Sequence, residues 1–381
     1  MEITILGTLP PIKGISEYCF EQAKAMSGVA KVNFINFKSI YPEFLYPGGS
    51  TKEESEIFKL KDIKNLKVFD ILTWYNPFSW IRAGFLIKAK IFHFHWWTYY
   101  LFPIFFTILV IAKIRGKKIV CTAHNTLSHE SNFLDFVFSK IIFKISNKII
   151  VHSKNNKKDL IKNLKIENKK IIIIPYGTLN FYSDIKISKK RARNKLNIKK
   201  DSRVILFFGS IREYKGLDTL IKAFSLVRKN IKNSKLIIAG KNWEKWGKYQ
   251  LLIDNLDITK DVLLFLDYIP TDKVKYFFTA ADVVVLPYRH FESQSGPGNI
   301  ALSFGKPLIV TNTGGLPNLV LDKNCVVPSD NSEEMASKII KVLKSKNFIK
   351  KLEKDSKINA INFSWDNIAI LTIKQYKKLL A

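Results

Sequence analysis

Cysteine is scarce in this 381-residue chain, which holds Cys19, Cys121 and Cys325 and no C-x-x-C pair. An odd, scattered set excludes a disulfide framework and a thiolate zinc site, and it fits a reducing compartment. Two phosphate signatures are missing altogether, the Walker loop G-x-x-x-x-G-K-[ST] and the dinucleotide fingerprint G-x-G-x-x-G. Their absence argues against an ordinary NTPase and a standard NAD enzyme. The opening MEITILGTLPP has no basic region and no small-residue cleavage site. It reads as a first strand, and the expected location is the cytosol. The apolar stretch 96–112, WWTYYLFPIFFTILVIA, runs 17 residues without a charge. That falls short of the roughly 20 residues a spanning helix needs, and Pro103 interrupts it. Because it sits between two apparent strands of one sheet, it is expected as a crossover helix with an aromatic face available to a membrane surface.

Acid is the other shortage. Lys and Arg number 62 against 32 Asp and Glu, a formal charge of +30, and eight of the 62 are Arg. Such a surplus attracts nucleic acid, anionic lipid or phosphorylated ligands. The lysines are spread along the chain, as an A/T-rich coding bias spreads them, whereas nucleic-acid readers gather basic residues with stacking aromatics on one face. An anionic membrane surface is therefore expected as a partner and nucleic acid is not. The few arginines carry more information than the many lysines.

The length suits two domains. Apolar runs recur at 3–7, 32–36, 68–72, 91–94, 118–122, 149–151 and 171–174, with helix-length segments between several of them. Runs without polar alternation read as strands buried on both faces, as in a parallel sheet with crossover helices. After a Lys- and Asn-rich stretch over 183–202, the pattern restarts at 204–209, 236–240, 262–265, 283–287, 308–311 and 325–327. The expectation is two α/β domains, 1–180 and 181–364, followed by a C-terminal helix over 365–381 that can return to the first.

Two constellations can hold an anion. Gly209-Ser210-Ile-Arg212-Glu-Tyr-Lys215-Gly216 follows the first strand of the second domain and runs into a helix. A strand, a glycine turn, two cations and a helix start make a phosphate site, in which amides cradle oxygens that Arg212 and Lys215 neutralise. Farther on, Glu292-Ser293-Gln-Ser295-Gly296-Pro297-Gly298-Asn299-Ile300 opens another helix after the strand ADVVVLP. The first amides of that helix lack intrahelical partners and, with the hydroxyls of Ser293 and Ser295, can hold an anion. His93 and His95 alternate onto one strand face, but no carboxylate or Cys stands at ligand spacing, so satisfied strand-end histidines are expected and no metal site is assigned.

The chain resembles the retaining glycosyltransferase family 4, with the GT-B fold of two Rossmann-like domains facing across a cleft. The resemblance spans essentially the whole chain and rests on Pro10-Pro11-Ile-Lys-Gly14-Ile-Ser16, His93-Phe-His95-Trp96-Trp97, Thr122-Ala-His124-Asn125, FFGSIREYKGLDTLIKAF, the glycine-rich block and Phe363-Ser-Trp365. It implies a metal-independent transfer of a sugar from a nucleotide-sugar to an acceptor hydroxyl, with retention and no cofactor beyond the donor substrate. It also implies that Lys215 grips the donor diphosphate, that Glu292 lies near the donor sugar and that His124 lines the cleft beside it. Gly14, Gly209, Ser210, Ser293, Ser295, Gly296, Gly298 and Asn299 fall at donor-binding positions. Two positions depart from the family: Ser210 stands where an arginine is usual, leaving that role to Arg212, and Ile300 stands where a second glutamate accepts the ribose hydroxyls.

The expected protein is thus a peripheral enzyme of the cytoplasmic membrane face that acts on a glycan or lipid-linked acceptor. A non-catalytic sugar- or lipid-binding GT-B protein and a nucleotide-sugar 2-epimerase are the alternatives.

Overall fold

The computed structural model describes residues 1–40, 63–125, 133–290 and 295–381. The chain divides into two compact units, Met1–Gly177 with Ser364–Ala381, and Thr178–Phe363.

The first unit alternates strand and helix: β1 (Glu2–Gly7), α1 (Ser16–Ser27), β2 (Lys31–Ser39), β3 (Leu66–Thr73), α2 (Pro77–Leu86), β4 (Ile91–Trp96), α3 (Phe102–Ile114), β5 (Lys118–Ala123), α4 (Phe133–Ile145), β6 (Lys148–Val151), α5 (Lys154–Lys162) and β7 (Ile171–Ile173). The strands form one parallel sheet in the order β3-β2-β1-β4-β5-β6-β7. Every residue of β4 is buried, as the unbroken apolar run IFHFHW requires when helices cover both faces. One apolar layer gathers Ala83 and Ile87, Phe105 and Ile108 of α3, Ile142 of α4 and Leu160 of α5. The layer on the other face gathers Tyr18 and Phe20 of α1 with Trp365, Ile368 and Tyr376.

The second unit holds α6 (Lys189–Lys195), β8 (Arg203–Phe208), α7 (Leu217–Asn230), β9 (Ser234–Ala239), α8 (Gly247–Asn255), β10 (Val262–Phe265), α9 (Val274–Ala280), β11 (Val283–Leu286), α10 (Gly296–Ser303), β12 (Leu308–Thr311), β13 (Val326–Val327), α11 (Ser332–Lys344) and α12 (Lys346–Asn362). Its parallel sheet runs β10-β9-β8-β11-β12-β13. The last helix, α13 (Trp365–Leu380), is part of the first unit and packs on α1.

The stretch 96–112 resolves into the end of β4 and most of α3, which crosses from β4 to its parallel neighbour β5. No helix among the described residues is long and apolar enough to cross a membrane. The segment is divided between surface and core: Tyr100, 75% exposed, and Phe106 are surface aromatics, and Trp97, Tyr99 and Phe102 are half-buried. Trp96, Leu101, Ile104, Phe105, Ile108, Leu109 and Ala112 are all buried, since α3 has to cover the sheet.

Docking of α13 depends on close approach. A Cβ on Gly177 would stand 2.3 Å from the Trp365 ring. Gly177→Ala is expected to destabilise the first unit by about 1–3 kcal/mol, the usual cost of overpacking, measured by urea unfolding.

Candidate functional site

In an open parallel sheet, ligands bind beyond the carboxyl ends of the strands, where the strand order reverses. In the second unit that point lies between β8 and β11, which pair directly although three helices separate them in sequence. The loops leaving these two strands carry both of the constellations read from the sequence.

The loop after β8 turns at Gly209, whose φ is +108°, and passes through a short 3₁₀ turn, Glu213–Lys215, to Gly216 in the left-handed region. Both glycines are needed for space as well as for φ. A Cβ on Gly209 would lie 3.0 Å from the Lys215 ammonium and 2.9 Å from the Pro297 ring, and one on Gly216 would lie 2.1 Å from the Pro287 carbonyl oxygen. The loop is thereby pressed against the segment after β11, and Lys215 is folded back toward the strand end. Lys215 is 6% exposed, with its ammonium 5.4 Å from the Tyr288 ring centroid. Burial, and then the charge of Arg212, push its pKa down to about 7. Arg212 itself is exposed and stacks on Trp243 at 4.9 Å. Ser210 is half-buried beside Gly209.

Arg289, one of the eight arginines, was not singled out by its sequence position, yet it ties the two loops together. Its guanidinium bonds Asp218 Oδ2 at 2.5 Å, Asp330 Oδ1 at 2.6 Å and the Glu213 carbonyl at 3.0 Å, while its backbone N–H donates to the Tyr214 carbonyl at 2.7 Å. A rigid guanidinium fork can hold a turn from three directions at once.

The start of α10 departs from the sequence reading. Ser295 is its N-cap, and Ser295 Oγ accepts the Gly298 N–H at 3.2 Å and pairs with the Tyr288 hydroxyl at 3.0 Å. Ser295 Oγ and the Gly298 N–H, both expected to hold an anion, are here partnered with each other, as capping demands. At Gly296 no described residue beyond its chain neighbours comes within 4 Å of where a Cβ would stand. Asn299 is fully buried; its amide donates to the Ser295 carbonyl at 3.0 Å, and its Oδ1 is buried with no hydrogen-bond partner among the described residues. Ile300 is 5% exposed and apolar, so it accepts nothing. Glu292 and Ser293 lie outside the described residues.

The first unit has its own switch point between β1 and β4. Gly14, in the loop after β1, has φ +111° and open space where a side chain would stand. His124 follows β5 and is joined to β4, with its Nε2 lying 3.0 Å from His95 Nδ1. His95 Nε2 faces Gln22 Oε1 at 2.9 Å, an acceptor, so Nε2 carries the proton and His95 Nδ1 accepts from His124 Nε2–H. His93 bonds Thr122 Oγ1 at 2.7 Å and the Tyr376 hydroxyl. Burial drives all three imidazoles well below their ordinary pKa, His93 to about 3, so they stay neutral. Among the described residues no group of three or more His, Cys, Asp or Glu is arranged to hold a metal ion.

Two doubly wound parallel-sheet units, one carrying a buried lysine at its switch point, define a protein of the GT-B fold. The chain belongs to the glycosyltransferases of group 1 and family 4: the model described as "Glycosyl transferases group 1" matches residues 188–362, and "Glycosyltransferase Family 4" matches residues 42–178. An uncharacterized glycosyltransferase of Methanocaldococcus jannaschii is 27% identical over 241 residues, 61% of this chain and 60% of the relative. The lipopolysaccharide 1,2-N-acetylglucosaminetransferase of Salmonella typhimurium is 26% identical over 46% of this chain and 49% of its own length. The chain thus spans about 60% or less of these two relatives. Among solved structures, a glycosyltransferase from Rickettsia africae superposes with a TM-score of 0.74 at 17% identity, covering 100% of this chain and 99% of that one. Anabaena HepE, solved with UDP and glucose, gives 0.73 at 15% identity, covering 99% and 100%.

The low pKa of Lys215 has a thermodynamic consequence. Its folded value, about 7, lies below the ordinary 10.5, so between these two the unfolded chain holds the extra proton and stability rises with pH. The deficit is complete below pH 7. Lys215→Met should therefore be more stable than the natural protein at pH 6, and the advantage should shrink toward pH 10. Urea unfolding of both proteins at the two pH values checks this.

Proposed function

We propose that this chain is a metal-independent, retaining glycosyltransferase that takes a sugar from a nucleotide-sugar and passes it to a glycan or lipid-linked acceptor at the cytoplasmic membrane face. The observation that carries the reading is the Lys215 amine, buried at the β8/β11 switch point with no ion-pair partner among the described residues. A nucleoside diphosphate leaving group gains negative charge as the bond from the anomeric carbon to phosphate oxygen breaks. A fixed cation in a desolvated position stabilises that charge far more than one in water. The diphosphate supplies the counter-charge that burial denies Lys215, so its arrival favours the protonated lysine.

Arg212, exposed and braced on Trp243, can reach the same phosphates from solvent. Arg289 acts at a distance by holding the turn that aims Lys215. His124, neutral and with Nε2–H committed to His95, can meet a sugar hydroxyl but not an anion. Among the described residues no carboxylate is motif-placed as a nucleophile, so a same-face displacement is favoured: the acceptor oxygen attacks the anomeric carbon as the phosphate departs, and its proton passes to the departing phosphate oxygen. UDP and UDP-glucose in the HepE structures, and the lipopolysaccharide and O-antigen transferases among the relatives, support this reading.

Lys215→Ala should fold and lose roughly two or more orders of magnitude in turnover, as does removal of a main electrostatic donor. Product analysis separates transfer from epimerisation or binding alone. Unchanged turnover with an intact fold contradicts the assignment. With Ile300 in place of a carboxylate, ribo- and 2′-deoxyribonucleoside diphosphates should bind within about tenfold of each other by calorimetry. Strong ribose discrimination would show that another group accepts those hydroxyls.

A further inference from the structure

The first unit carries an apolar surface that its fold leaves uncovered. Of the ten residues of α2, Ala83 and Gly84 are buried. Phe78 is 80% exposed, Ile81 42% and Phe85 60%, and Arg82 lies among them. These positions recur at i, i+3, i+4 and i+7, which is one stripe of a helix. Trp74 and Tyr75, just before the Asn76 cap of α2, are exposed as well. Contiguous large apolar side chains facing water mark an interaction site.

The helix is held firmly from behind. Gly84 lets α2 lie against Ile111 of α3, where a Cβ would stand 2.9 Å from that side chain. Arg115 donates to the carbonyls of Gly84, Phe85 and Ile87 at 3.0, 2.8 and 3.2 Å and sits 5.6 Å from the Phe85 ring centroid. The stripe is thus presented on a braced helix with a cation stacked at its end.

Charge selects the occupant. Residues 71–129 contain no Asp or Glu, while they include Arg82, Lys88, Lys90, Lys113, Arg115, Lys117 and Lys118. Arg82, Lys88, Lys113 and Arg115 are exposed. An apolar and aromatic stripe within a region free of acid fits an anionic phospholipid surface, where rings enter the headgroup boundary and cations meet lipid phosphates. We propose that α2, with Trp74, Tyr75, Phe78, Ile81 and Phe85 as its wedge and the surrounding Arg and Lys as its contacts, docks this unit on an anionic bilayer. The proposal rests on the membrane-face reading above and adds α2 to the contact expected from the stretch 96–112.

The test is co-sedimentation of the full chain with phosphatidylglycerol/phosphatidylcholine vesicles and with phosphatidylcholine vesicles alone. The natural protein should bind the anionic vesicles at low salt, bind the neutral ones at least about tenfold more weakly, and dissociate at about 1 M salt, where the Debye length is about 3 Å. Phe78→Ser with Phe85→Ser, and separately Arg82→Glu with Lys88→Glu, should each lower anionic-vesicle binding at least about tenfold. Both double variants should keep the natural thermal unfolding and the natural affinity for nucleoside diphosphate, which reports the second unit. Vesicle binding without any nucleoside diphosphate binding supports the docking face and counts only against the glycosyltransferase reading. No binding to anionic vesicles at low salt overturns the docking face, as does undiminished binding by the Phe variant. A dimer of the natural protein that the Phe substitutions dissociate also overturns it, by assigning the face to a second copy.

Discussion

A single lysine amine kept out of water, with no counter-charge among the described residues, is the constraint around which the ligand end of the second unit is arranged. Burying a cation is costly, and a lysine answers by lowering its pKa, as Lys215 does to about 7. The conformation persists because the turn that holds it is fixed from outside. Gly209 and Gly216 permit the approach of Pro297 and of the Pro287 carbonyl, and Arg289 anchors the turn to Asp218 and Asp330. Local stability is given up at one residue and recovered from its surroundings, a pattern typical of sites that await an anionic ligand.

The first unit treats its polar groups in the opposite way. His95 and His124 share a hydrogen bond, Gln22 meets the other nitrogen of His95, and Thr122 and Tyr376 meet the two nitrogens of His93. Burial keeps them uncharged. Tyr376 binds this arrangement to α13, so the final helix belongs to the polar core of the unit as well as to its apolar layer.

The strands were legible because each is a short, largely apolar run, and all thirteen runs correspond to strands of the two sheets; inner strands such as β4 and β11 are buried throughout, whereas the edge strands β3 and β10 are partly exposed. The reversal at β8 and β11 was not, because it depends on which strands pair. Lys215 and Arg212 stood out through their glycine turn. Arg289, Tyr288 and Trp243 gain their meaning from contacts with residues distant in sequence, for which no local pattern exists. The cap formed by Ser295 was hidden for a related reason: a serine before a helix reads equally as an anion donor and as a cap, and the bond from the Gly298 amide shows itself only in the folded chain. On α2, the stripe at helical spacing is written in the sequence, but its exposure depends on how α3 packs behind it.

The central claim, that Lys215 is the group that meets the diphosphate, is tested most directly by counting protons. Calorimetric titration with a nucleoside diphosphate at pH 8, in buffers of different ionisation enthalpy, gives the number of protons taken up on binding. A lysine with a pKa near 7 is mostly neutral at that pH, and a bound diphosphate should restore its charge. The account predicts uptake approaching one proton, absent in Lys215→Met. Binding with no uptake by the natural protein, or with the same uptake by the variant, would contradict it.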